Sequence, residues 1–248
     1  MIRGLYDVKN LITILITFFF GACLPNTPFE VDSKTPVPVT DSYISLQKRT
    51  GLLNKIGSAV IIEDGIAISN RHLMEKISGM WGYMAGGIEF PIKNVILSDR
   101  FDLAVFDIPC GLGKPIKMGK RVKMGDRIFS AGTTFDSTIL EGTVVLTDFK
   151  LHHVDIKLPN PDHRDSEGRA TSQGFVYEGD FRQGFSGGPI VNSKGELVGI
   201  NQGRVLEFFS AHAELKSESD RTYGIGYHIE NVLNEMRKIA PKKLNRCR

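Results

Sequence analysis

From Gly57 onward, short apolar runs alternate with polar turn signals. Ser58–Ile62, the turn residues Glu63, Asp64 and Gly65, and then Ile66–Ser69 read as a β-hairpin. Similar runs occur at Phe90–Leu97, Leu103–Ile108, Arg127–Ala131, Gly142–Thr147, Gly174–Tyr177, Ile190–Val191 and Leu197–Ile200. The last two are separated by another turn, Asn192 to Gly195. Many short strands at this spacing predict a sandwich or a pair of barrels. No internal repeat is visible, although a division near residues 111–120 is compatible with two duplicated barrels. One stretch has a helical period: Ile229, Val232, Leu233, Met236 and Ile239 recur on one face, and Pro241 stops the helix. Residues 150–172, with His152, His153, Pro159, Pro161, His163 and many charges, form a polar insertion.

The beginning of the chain follows a different pattern. An apolar run over residues 11–20, preceded by Arg3 and Lys9, is followed by Gly21, Ala22 and Cys23. As a helix this run rises only ~15–18 Å, about half of a bilayer core. Residues 1–22 therefore read as a signal peptide. Gly21-Ala22-Cys23 resembles the lipobox of bacterial lipoproteins, with Phe20 where that motif prefers an aliphatic residue. The resemblance implies lipidation of Cys23 and a place in the bacterial cell envelope, lipid-anchored and facing the periplasm or the exterior. An uncleaved N-terminal anchor or ordinary secretion are the alternatives. Residues 23–42 carry Pro25, Pro28, Pro36 and Pro38 among polar residues and read as a semi-rigid tether. The folded body is expected over 43–240, with a basic tail at 241–248.

Composition narrows the class. The 248 residues suffice for one large domain or two small barrels, and 41% hydrophobic with 24% charged residues excludes a mostly disordered chain. Twenty-six glycines and eleven prolines show no collagen-like period and act as turn punctuation. Thirty-one Lys and Arg against 28 Asp and Glu leave +3, too mild a charge to argue for a nucleic-acid partner. Three cysteines exclude a disulfide-dense scaffold, and no Cys-x-x-Cys or His-x-x-x-His pair suggests a metal; no cofactor is expected. With Cys23 lipidated, Cys110 and Cys247 remain, and whether they pair outside the cytoplasm is left open by the sequence.

The strongest chemical signal is Gly184-Phe185-Ser186-Gly187-Gly188-Pro189. Serine is a weak nucleophile until a base takes its proton, and its attack creates an oxyanion that needs preorganised donors. Glycines around Ser186 leave backbone N–H groups unobstructed, with Gly184 able to turn its N–H in beside that of Ser186. A base and an orienter are at hand: His72 ends the hairpin in Ala67–Leu73, and Asp102 opens Asp102–Val105. In these three motifs, in the order His, Asp, Ser, the chain resembles the trypsin-like, chymotrypsin-fold serine peptidases. Ile190–Asn201 and Gly224–Tyr227 resemble especially the bacterial Deg/HtrA-type branch. The similarity spans roughly 52–235 and covers the protease unit without a PDZ domain.

The resemblance implies an all-β fold of two six-stranded antiparallel barrels with a C-terminal α-helix. It implies a serine endopeptidase acting on protein or peptide substrates: Ser186 attacks, His72 is the general base and acid, and Asp102 orients the imidazole. Gly184 and Ser186 supply the oxyanion hole. From the residues alone, Asp99 or Asp107 could also be the orienter, and His72 could be a core histidine. Phe185 stands where digestive members carry the aspartate that pairs with a freed N-terminus, so that activation is not available. Asp180, six residues before Ser186, has the spacing of the pocket-base aspartate behind Lys/Arg specificity. Gly203 and Gly226 would leave the pocket walls open, whereas Deg-type relatives prefer small aliphatic residues. The competing function is a catalytically inactive binding lipoprotein on the same fold.

Overall fold

The computed structural model describes residues 39–48, 55–75, 79–133, 137–149, 174–204, 222–241 and 247. The apolar stretch 11–20, Cys23 and the insertion 150–172 lie outside the described residues. Seven antiparallel strands come first: β1 (Tyr43–Lys48), β2 (Lys55–Glu63), β3 (Ile66–Ser69), β4 (Met80–Met84), β5 (Ile88–Pro91), β6 (Lys93–Leu97) and β7 (Ala104–Asp107). They pair in the order β5-β4-β1-β2-β3-β7-β6. The two outermost strands, β5 and β6, are joined by Ile92 alone. The sheet is therefore rolled until its edges meet at one buried residue, whose N–H donates to the Met80 carbonyl at 3.1 Å. The run Phe90–Leu97 is in effect the sixth, bent strand of the expected first barrel.

Six further strands form a closed barrel: β8 (Arg127–Thr133), β9 (Ser137–Phe149), β10 (Gly174–Gly179), β11 (Pro189–Asn192), β12 (Leu197–Arg204) and β13 (Tyr223–His228). Phe175, Tyr177, Phe185, Ile190 and Val198 fill it. Strand β2 explains why the hairpin reads as an unbroken apolar run. Ala59 and Ile61 face the interior of the first barrel, while Val60 and Ile62 face a core shared with the second, so neither side meets water.

That shared core includes Leu103, Phe129, Leu197, Ile200 and Tyr227. It is covered by the expected C-terminal helix, α2 (Ile229–Ile239), through Val232 and Met236; α1 (Arg71–Met74) is a single turn after β3. The linker between the barrels is laced to both: Ile116 N–H donates to Ile61 O and Gly119 N–H to Leu197 O.

Two contacts reach beyond the residues expected to form the folded body. Val39 is buried in the shared core, and the Ser42 hydroxyl donates to the Lys114 carbonyl at 2.6 Å, so the packed body includes the end of the expected tether. In the expected basic tail, Cys247 forms a disulfide with Cys110, with Cα atoms 5.8 Å apart.

Candidate active site

Asn70 ends β3 in an extended conformation and α1 starts immediately after it, so the backbone bends and presents His72 in the first helical turn. Asp102 lies just before β7, fully buried. Its Oδ1 accepts the His72 backbone N–H at 2.9 Å, and its Oδ2 lies 2.7 Å from His72 Nδ1. A carboxylate oxygen accepts, so the contact calls for the hydrogen on Nδ1, the tautomer in which Nε2 is the basic nitrogen. Of the three candidate orienters it is Asp102 that meets the ring. Asp99 is exposed and pairs with Arg71, and Asp107 accepts from Asn94 Nδ2 at 2.7 Å.

Asp102 is itself held at both backbone ends. Its carbonyl accepts from Asn70 Nδ2 at 3.0 Å, and its N–H donates to the Tyr227 hydroxyl at 3.2 Å. Burial pushes the Tyr227 hydroxyl pKa well above its ordinary value, with the Asp102 charge acting in the same direction, so it stays a neutral phenol. The preceding loop is tied by Ser98. Its hydroxyl accepts from the Arg100 and Phe101 N–H groups and donates to buried Glu235 on α2 at 2.5 Å.

Ser186 lies in the turn between Gly184 and β11, partly exposed. Its loop is seated on the first barrel: Ser58 N–H donates to Ser186 O at 2.9 Å. Gly187, at φ +79°, lies against the strand that leads to His72, where a Cβ would stand 2.2 Å from Ser69 Oγ and 3.0 Å from Asn70 N. Only glycine fits there. Gly187 N–H donates to Asn201 O, and Asn201 N–H to Gly188 O, both at 2.8 Å. Gly184 has φ +97°, and neither its N–H nor that of Ser186 is spent on another group among the described residues. Phe185 between them is fully buried beside Phe181, so an apolar anchor holds this loop.

The expected specificity residues are not gathered in the same way. Asp180 is half exposed, and its Oδ2 accepts from Arg182 Nε at 2.7 Å. That is a surface ion pair and not an unpaired carboxylate at a pocket base. Gly226 faces the barrel interior, where a Cβ would stand 2.5 Å from Ile190 Cδ1 and 2.7 Å from the Phe175 ring, so the missing side chain makes room for packing. Gly203 does border open space. No supporting role for Asn70, Tyr227 or the buried hydroxyl of Ser58 was legible in the sequence. The last is marked only as a polar residue heading an apolar strand. Among the described residues no group of His, Cys, Asp or Glu could hold a metal ion, and no helix is long and apolar enough to cross a membrane.

A family model of the trypsin-like peptidase domain matches residues 57–200, more than half of the chain, and contains His72, Asp102 and Ser186. The chain belongs to this family and is by that membership a serine peptidase. No curated protein matches it in sequence. Among solved structures it is similar to the inactive form of the Rv3671c protease of M. tuberculosis, with TM-score 0.62 and 19% identity over 82% of this chain and 90% of that one. It is also similar to the serine endoprotease from Yersinia pestis, with TM-score 0.59 and 18% identity over 83% of this chain and 65% of the other. A serine-to-alanine variant of the HtrA-type protease AlgW, solved with a tripeptide, gives TM-score 0.62 and 20% identity over 86% and 65%. The chain thus spans somewhat under two thirds of the length of the last two. At such identities the likeness is one of fold.

Proposed function

We propose that the protein cleaves peptide bonds through an acyl-enzyme on Ser186, with His72 as general base and Asp102 as its orienter. The observation that carries this reading is the pairing of His72 with a fully buried Asp102, beside a serine loop seated on the segment leading to the histidine. In the acylation step Ser186 Oγ bonds to the substrate carbonyl carbon and its proton passes to Nε2 of His72. Charge then develops on the carbonyl oxygen, where the N–H groups of Gly184 and Ser186 receive it. The C–N bond breaks as His72 returns the proton to the leaving amine, and water repeats the sequence to release the acid.

A fluorophosphonate probe tests this. Wild type is expected to take the label at Ser186, and Ser186→Ala to lose both the label and peptide hydrolysis, by about 10⁶-fold in turnover as is typical of such units. A folded wild type that takes no label would instead fit the inactive binding protein.

For location, we propose a lipid anchor at Cys23 on the outer side of a bacterial membrane. The Gly21-Ala22-Cys23 sequence supports this, and so does the disulfide, since such bonds persist in oxidising compartments. Mass spectrometry of the mature N-terminus is expected to find an acylated Cys23, and an unmodified terminus beyond residue 23 would refute the anchor.

A further inference from the structure

We infer that the hydroxyls of Ser58, Tyr43 and Thr133 form a positioning device for the oxyanion-binding N–H groups; the inference rests on the Ser-His-Asp reading above. All three side chains are buried. Ser58 and Tyr43 belong to the first barrel, on β2 and β1, and Thr133 ends β8 of the second. Ser58 Oγ donates to the carbonyl of Gly184 at 2.7 Å, while Ser58 N–H holds the carbonyl of Ser186. One residue of the first barrel thus grips the serine loop on both sides of Phe185.

The hydrogens have a defined direction. A serine hydroxyl has one hydrogen, and here the Gly184 carbonyl takes it. Ser58 Oγ must therefore accept from Tyr43, whose hydroxyl lies 2.7 Å away, and it also accepts the Thr133 N–H at 3.3 Å. Tyr43, having spent its hydrogen on Ser58, accepts in turn from the Thr133 hydroxyl. Three hydroxyls thus run in one sense, from Thr133 through Tyr43 and Ser58 to the Gly184 carbonyl. Hydrogen bonds in such a chain polarise and strengthen one another in a low-dielectric interior.

The recipient needs this. Gly184 has no side chain to pack and sits at φ +97°, where glycine is conformationally free, so its own backbone does not fix the direction of its N–H. Pinning its carbonyl to β2 anchors the Cα about which the Gly184 N–H turns. Holding the Ser186 carbonyl as well fixes the 185–186 peptide plane that carries the Ser186 N–H. The chain acts through Gly184 and Ser186 and touches no reacting atom.

The test compares Ser58→Ala, Tyr43→Phe and Thr133→Val with wild type. It uses peptide hydrolysis with kcat and KM separated, the pH profile, and the affinity for a peptidyl boronate that bonds to Ser186 Oγ as a tetrahedral anion. Losing a whole oxyanion donor costs about 10²–10³ in kcat, and a loosened one is expected to cost about 10–100-fold in Ser58→Ala. Boronate affinity is expected to fall in parallel. KM, the pH profile and peptide affinity in a Ser186→Ala background are expected to stay put. Tyr43→Phe keeps the ring in the core and is expected to show a smaller loss of the same kind, so it decides the matter if Ser58→Ala does not fold. Unchanged kcat in both variants overturns the inference. So does a kcat loss without weaker boronate binding, or one with a shifted pH profile, which would place the effect on His72. A wild type that takes no probe at Ser186 removes the peptidase reading itself and this inference with it.

Discussion

His228 is buried where β13 passes into α2. Its Nε2 lies 2.8 Å from the Thr147 carbonyl, which can only accept, so Nε2 carries the hydrogen. Among the described residues Nδ1 has no hydrogen-bond partner, and a second proton there would find no acceptor among them. Burial holds the pKa below its ordinary 6.5. The Thr147 carbonyl pulls the other way, with Arg121 lowering it and Glu230 and Asp148 raising it to lesser degrees. The unfolded chain therefore binds this proton more readily than the folded one. The His228 contribution to stability is complete above the ordinary histidine value and is lost as pH falls from there through the lowered value of the folded state. Melting curves from about pH 7 to about pH 5 are expected to show a smaller loss of Tm in His228→Gln than in wild type. Equal losses would mean that acid acts elsewhere.

At this same scale the proposed triad was readable and its supports were not. Ser186, His72 and Asp102 sit in short motifs because the chemistry restricts the neighbours of each. Tyr227 meets Asp102 across 125 residues, and Ser58 meets Gly184 across 126, and no local pattern encodes such meetings. Asp180 shows the converse failure. A spacing of six residues places it near the serine loop but does not fix the direction of its side chain, and Arg182 two residues away captures the carboxylate.

Elements were legible where both faces of a strand are buried, because a run such as Ser58–Ile62 then carries apolar residues without interruption. Helix α2 was legible for the opposite reason: one face covers the shared core and the other carries Glu230, Asn234, Arg237 and Lys238, which gives a clean helical period. Strands β1 and β4 have no counterpart among the apolar runs. Tyr43–Lys48 mixes polar residues into buried positions, and Met80–Met84 contains a glycine that reads as a turn signal. The structure gives Gly82 another purpose, since a Cβ there would stand 2.5 Å from the Phe90 ring. Gly199, Gly224 and Gly226 do the same for Phe175 and Tyr177. A narrow barrel fits large rings only by placing small residues opposite them, and these strand glycines serve that purpose and punctuate no turn.

Across the whole molecule, the disulfide joins residues 137 apart in sequence and ties the C-terminal end to the first barrel. It lies over the β2–β3 turn, where a Cβ on Gly65 would stand 2.3 Å from Cys247 Sγ. Closing a loop of this length in the unfolded chain is worth about 5 kcal/mol on the chain-entropy account. Cys110→Ser or reduction is expected to lower the urea midpoint by roughly 2 M, that free energy divided by an m of ~2–3 kcal/mol/M, while the folded protein keeps its activity. An unchanged midpoint would mean that the link adds no restraint.

The order in which the chain is made acquires significance from one contact, that between the Asp102 N–H and the Tyr227 hydroxyl. A growing polypeptide has His72, Asp102 and Ser186 in hand before β13 exists. Until that last strand arrives, the second barrel has a gap between β10 and β12, and the loop bearing Asp102 lacks its phenol support. The unfinished peptidase thus carries all its reactive groups without the frame that aligns them. Alignment of these groups therefore waits on the strand that leads into α2.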